Sequence, residues 1–231
     1  MNDPAAVYEA HAREAHERDF WGQVRRTKHG EPFPEQQIQM IVEQCRDLLA
    51  LGSDDPFIDL CCGNGALTTR VFGPEAVGTG VDVAPTLIRV AQTHFASDRI
   101  EYLVADVVEW AESATVSHTP TKALLYGSIN FIPPDRTPRL LAAVRSRFPS
   151  VERFVIGNVA DRDRLHDFFD PDAYVAGIED DPASPIGYWW SAGDFVAMAE
   201  AAGWQIDIVR MPESFTASHY RFDAVLTPGG T

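Results

Sequence analysis

Phe57-Ile58-Asp59-Leu60-Cys61-Cys62-Gly63-Asn64-Gly65-Ala66-Leu67 is the stretch that decides the fold. A short apolar strand runs into a Gly-X-Gly turn that opens a helix, and glycines there let the backbone turn tightly and approach a ligand closely. The dinucleotide pattern requires a third glycine, and Thr68 stands in its place. Asp59 lies at the end of the strand, where a carboxylate repels a pyrophosphate and attracts an ammonium group. The ligand implied by this turn has a nucleoside end and a cationic end.

Outward from the turn, apolar runs alternate with helical patterns. The runs are 57–60, 77–81, 100–105, 123–126 and 153–156, and helical spacing fills 85–95 and 137–148. Strands joined by helical crossovers imply a parallel sheet covered on both faces. Upstream, Ile38, Ile41, Val42, Cys45, Leu48 and Leu49 recur at three and four over 35–50, and Gly52 takes the expected C-terminal glycine position. Polar helical material fills 5–20. Downstream, Ser191 and Asp194 form a capping-box variant for a helix closed by Gly203. Two runs, 204–211 and 220–227, then follow with no room for a helix between them, so they pair antiparallel. The sheet is expected to be mostly parallel with a reversed strand near its edge.

Asp82 closes the second run at the position where an acidic residue accepts both hydroxyls of a ribose. Asp106 follows the third run, where its carboxylate can accept from an adenine amino group while the Val107 amide faces a ring nitrogen.

Three carboxylates at three successive strand ends resemble the class I S-adenosylmethionine-dependent methyltransferases over residues 35–228, with an N-terminal helical arm over 1–34. The polar segment Tyr126-Gly127-Ser128-Ile129-Asn130-Phe131-Ile132-Pro133-Pro134-Asp135 is similar to the family's active-site loop. The resemblance implies a Rossmann-like, seven-stranded α/β sheet with its last strand antiparallel. It also implies S-adenosylmethionine as cofactor, held by Asp59, Cys61, Gly63, Asn64, Gly65, Asp82, Val83, Ala105, Asp106, Val107 and Tyr126. Cys61 and Cys62 replace the small residues common at that point, and Phe148-Pro149-Ser150 replaces the usual Pro-Gly-Gly turn before the fifth strand.

Methyl transfer from a sulfonium is an in-line displacement, so the protein chiefly aligns an acceptor lone pair, with a base where the acceptor starts protonated. His219, before the last strand, and His166, after the fifth, are the candidate bases; His11, His16, His94 and His118 read as solvated. Ser128, Asn130 and Asn158 can orient an acceptor. The insertion over about 162–190 reads as a lid carrying Phe168, Phe169, Tyr174, Tyr188, Trp189 and Trp190, with Tyr188 and Trp189 as substrate contacts. The basic stretch Arg25-Arg26-Thr27-Lys28-His29 offers Arg26 to the cofactor's carboxylate and Arg25 to an acidic acceptor. Asp161 and Asp163 could suggest a divalent ion, but no matching acidic residue ends strand four, so no metal is expected.

The chain has 231 residues, with 19 Lys and Arg against 34 Asp and Glu, for a net charge of −15. So acidic a surface disfavours a polyphosphate partner. Three cysteines, two of them adjacent, do not make a disulfide framework, no apolar run reaches about 20 residues, and no signal peptide is expected from the first residues. A cytoplasmic monomer or homodimer acting on a small molecule is the expectation. Beside it stand a nucleic-acid or protein methyltransferase, a non-catalytic cofactor-binding subunit and a nicotinamide reductase.

Overall fold

The computed structural model describes residues 4–28, 30–170, 172 and 174–230; His29 of the basic stretch and two residues of the expected lid lie outside them. Seven strands form one sheet: β1 (Phe57–Leu60), β2 (Gly78–Asp82), β3 (Ile100–Val104), β4 (Lys122–Tyr126), β5 (Arg153–Ala160), β6 (Trp204–Val209) and β7 (Arg221–Pro228). Their order is β3-β2-β1-β4-β5-β7-β6, and β7 is reversed relative to the other six strands. The order reverses between β1 and β4, and a crevice opens at the carboxyl ends of the strands at such a switch point.

Alternation along each strand sends side chains to two cores. On β4, Ala123 and Leu125 join one cluster while Leu124 and Tyr126 join the other. The first cluster is closed by α6 (Val107–Ser113), α7 (Thr137–Arg147) and α9 (Ala192–Ala201), through Val108, Leu140, Val144 and Phe195. The second is closed by α3 (Glu35–Leu49), α4 (Ala66–Phe72) and α5 (Pro85–His94), through Ile41, Leu49, Val71 and Ile88. Both faces of the sheet are therefore covered.

Several boundaries differ from the sequence reading for local reasons. The N-terminal polar stretch is two helices, α1 (Pro4–Glu14) and α2 (Phe20–Gln23), because Asp19 caps the second by accepting from the Gly22 amide at 2.9 Å. Helix α3 ends before Gly52: Ala50 itself takes the left-handed turn at φ 46°, and the Gly52 amide donates instead to Asp55. Ser191 accepts from the Asp194 amide at 3.0 Å, as a capping residue should, and Gly203 is left-handed at φ 84°. A bulge lies in β5, where the register with β7 shifts between Ile156 and Val159. The insertion after β5 is pinched at its base, Asp161 bridging Trp190. It opens with a 3-10 turn (Arg162–Arg164) that leads into the short α8 (Leu165–Phe168).

Among the described residues no helix is long and apolar enough to cross a membrane.

Candidate active site

A cavity of about 770 Å³ lies at the carboxyl edge of the sheet, between the N-terminal arm and the insertion. That volume falls within the about 300–1,000 Å³ typical of small-molecule sites. Its floor is the glycine turn. Gly63 is left-handed at φ 59°, and a Cβ there would come within 2.9 Å of Val24 in the arm. Gly65, also left-handed, does not line the cavity; its missing side chain makes room for Tyr102, whose Cζ would lie 2.9 Å from a Cβ. Cys61 is small, yet size is not the constraint at this position. Its φ is 59°, a conformation that costs a residue bearing a Cβ about 1–2 kcal/mol. Burial, then the carboxylates of Asp82 and Asp59, push the thiols of Cys61 and Cys62 well up, so both stay protonated.

Asp82 reaches the wall. One of its oxygens accepts from the Gly63 amide and the other from the Ala84 amide, each at 2.9 Å, which fixes the carboxylate at the β2 end with lone pairs to spare. Asp106 also lines the cavity. It caps α6 by accepting from the Val108 and Glu109 amides, and it pairs in a fork with Arg136 at 2.9 and 2.6 Å. Burial works to raise this carboxyl, but the Arg136 and amide hydrogen bonds prevail and hold it below the usual range. Arg136 went unnoticed in the sequence; a cation just after the Pro-Asp turn was its only signal. Val83 and Val107 line the same end, whereas Ala105 only donates its amide to the Asp82 carbonyl.

Asp59 does not reach the wall. It is buried beneath the turn, where it accepts from the Thr68 hydroxyl at 2.5 Å, and burial pushes its carboxyl up to about 7. Thr68, read as a missing glycine, is thus the donor that holds Asp59. Asn64 lines the cavity but spends its amide on the arm, donating to the Phe20 carbonyl at 2.7 Å and to Gln23 at 2.8 Å.

The arm is fastened across the opening. Glu9 of α1 accepts from the Thr86 amide and hydroxyl at the start of α5. His11, expected to be solvated, is half-buried on the cavity wall, its Nε2 2.8 Å from the Gly22 carbonyl. Tyr8 also lines the wall, with Arg25 over its ring at 4.9 Å. Arg26 reaches further in: its guanidinium lies 4.8 Å from the Tyr126 ring centroid, and its buried Nε has no partner. Burial works against the Arg26 charge, although a guanidinium stays protonated in a protein. An unpartnered donor on a cation at a cavity wall is a fit for a carboxylate. Asp82 at one end and Arg26 toward the other match a ribose and an amino-acid carboxylate, so the residues present fit S-adenosylmethionine.

Beyond β4 and β5 the wall is formed by Ser128, Asn158 and Arg221. The bulge puts Asn158 at φ 63° and turns its carbonyl to Arg221, while its amide donates to Asp223 at 2.7 Å. Asn130 is buried away from the cavity; its Oδ1 accepts from the Ala160 amide at 3.1 Å and ties β4 to β5. Of the six aromatics in the insertion only Phe168 lines the cavity, joined by Pro185 and Ile186. Trp189 is buried behind it against Phe168, Phe169 and Tyr220, and Tyr188 is half-buried, its amide donating to the Asn130 carbonyl. Neither candidate base lines the cavity. His219 is exposed in the turn before β7 against Tyr220, and His166 is exposed on α8 against Tyr174. Asp161 is committed to Arg210 and to the Asp163 amide.

No family model matches the chain, and no curated protein matches it in sequence. Solved structures do match it in three dimensions. DhpI in complex with SAH superposes with a TM-score of 0.64 at 18% identity, covering 99% of this chain and 97% of that one. A TehB-like SAM-dependent methyltransferase from Corynebacterium glutamicum gives 0.57 at 17%, covering 92% and 98%. The N-methyltransferase NodS from Bradyrhizobium japonicum gives 0.60 at 12%, covering 85% and 98%. The chain has the fold of the class I S-adenosylmethionine-dependent methyltransferases.

Proposed function

We propose that the chain is an S-adenosylmethionine-dependent methyltransferase acting on an oxygen or nitrogen of a small metabolite, in specialised biosynthesis. The observation that carries this reading is one cavity holding Asp82 and Asp106 at consecutive strand ends together with Arg26, whose buried Nε has no partner. Asp82 accepts from the ribose hydroxyls. The Val107 amide and the remaining lone pair of Asp106 address the adenine, with Arg136 holding that carboxylate ionised. Arg26 takes the methionine carboxylate, and the ammonium, once bound, favours the ionised form of Asp59 beneath the turn. When bound, the cofactor supplies a methyl carbon made electrophilic by its sulfonium. Ser128 and Asn158 orient the acceptor against it by hydrogen bonds, and the arm and insertion exclude water.

A cavity of about 770 Å³ between the arm and the insertion supports a small acceptor over a macromolecule. The matches to DhpI, solved with SAH and with SAM and HEP, and to an N-methyltransferase support the same reading. Neither His219 nor His166 is proposed as a base, since each is exposed to solvent away from the cavity.

Calorimetric titration of the purified protein with S-adenosylhomocysteine and, separately, with NADH tests this reading. Saturable one-to-one binding of S-adenosylhomocysteine alone supports it, and binding of NADH alone overturns it.

A further inference from the structure

Four arginines line the cavity, Arg25, Arg26, Arg136 and Arg221, against two carboxylates, Asp82 and Asp106. Arg136 is neutralised by Asp106. Among the described residues no carboxylate lies within salt-bridge distance of Arg25, Arg26 or Arg221. In a chain of net charge −15, three cations without acid partners on one cavity wall form a local inversion of the surface charge. Each lies over the ring of a tyrosine that lines the same cavity, Arg25 over Tyr8, Arg26 over Tyr126 and Arg221 over Tyr220.

A single cofactor carboxylate accounts for one of the three. Arg26 over Tyr126, at the β4 end, is the one in reach of it. Arg221 lies beyond it at the start of β7, donating to the Asn158 carbonyl and stacked on Tyr220 at 4.9 Å. The sheet order places β7 past β5, on the opposite side of the switch point from β2 and β3, whose ends carry Asp82 and Asp106. Arg25 faces the same cavity from the arm in a left-handed backbone conformation, φ 52°, unusual for a residue with a side chain. Around them the wall is apolar, with Phe168, Ile186, Phe215 and Ala217. Guanidinium groups present paired donors that match the oxygens of an oxyanion, and in a partly desolvated site such a pairing is strong.

Resting on the methyltransferase reading above, we infer that the methyl acceptor is itself an anion, an apolar or aromatic body carrying a carboxylate or phosphoryl group that Arg221 and Arg25 hold as a handle. Two cations on that group draw electron density from it, so the handle fixes the molecule's orientation and a different atom faces the methyl.

The test uses the whole protein saturated with S-adenosylhomocysteine and titrated by calorimetry with benzoate, phenyl phosphate and, as the uncharged counterpart, benzamide. Benzoate or phenyl phosphate should bind about ten-fold or more tightly than benzamide, and their ranking distinguishes a carboxylate handle from a phosphoryl one. Arg221→Met should abolish that preference, and Arg25→Gln, which leaves the Asn158 contact in place, should reduce it. Equal binding of charged and uncharged probes, or a preference unchanged in both variants, overturns the inference while leaving the methyltransferase reading intact. Failure of S-adenosylhomocysteine itself to bind removes that reading and this inference with it.

Discussion

Arg26 holds its guanidinium 4.8 Å from the ring centroid of Tyr126, with its Nε buried without a partner and, among the described residues, no carboxylate within salt-bridge distance. A cation left in that state is poised for an anion to complete it. Arg26→Met should therefore weaken binding of S-adenosylhomocysteine by about 10- to 100-fold, the loss expected when a hydrogen bond to a charged group is removed. The melting temperature of the ligand-free protein should not fall, because the substitution also removes a buried unpaired charge. Calorimetric titration alongside scanning calorimetry separates the two effects.

Asp82 carries a double duty, since it accepts from two backbone amides as well as facing the cavity. Asp82→Ala should cost a few kcal/mol of cofactor affinity, about 30-fold or more, and should also lower stability by leaving the Gly63 and Ala84 amides unpaired. Asp82→Asn keeps one acceptor oxygen and should fall between the variant and the wild type. Equilibrium titration of the three proteins gives the order.

Asp59 links the site to pH. Burial, with Asp82 adding to it, pushes its carboxyl up to about 7 against the opposing pull of Thr68 and Arg26. An aspartate in the unfolded chain titrates near about 3.9. Between those values the folded protein carries a proton the unfolded chain lacks. Its stabilising contribution is therefore full below about pH 4 and is lost as pH rises through about 7. Asp59→Asn stays neutral, so its stability relative to wild type should grow over that window, by at most about 1.4 kcal/mol per pH unit. Urea unfolding of the ligand-free proteins at several pH values reads the slope.

Cys61→Gly should stabilise the protein by about 1 kcal/mol, because glycine adopts the left-handed φ of 59° without the cost a Cβ imposes. For a chain of this size the melting temperature should rise by about 2–4 °C. The same substitution at Cys62, whose φ is not positive, should bring no such gain.

What the sequence made legible was local in origin. The strand–glycine turn–helix at 57–67 and the alternation along β4 depend on neighbours in the chain, and so does the capping of α9 by Ser191. The reversed β7 was legible because two strands without a helix between them pair in only one direction. What stayed hidden depends on groups far apart in the chain. Arg136 meets Asp106 and Arg221 meets Asn158 only once the sheet is assembled. Tyr8 and His11 read as part of a polar helix, and nothing nearby marks the face that α1 turns to the cavity. Trp189 and Asn130 looked like substrate contacts by type and position, yet packing and backbone hydrogen bonds claim them. The backbone strain at Cys61 is a dihedral fact that side-chain size does not reveal.

The most direct test of the central claim is a crystal structure of the protein with S-adenosylhomocysteine. The ribose hydroxyls should lie within about 2.6–3.2 Å of the Asp82 carboxylate, and the amino-acid carboxylate should meet the Arg26 guanidinium. A ligand seated elsewhere, or one with its nucleoside at Arg26 and its amino acid at Asp82, would contradict the account.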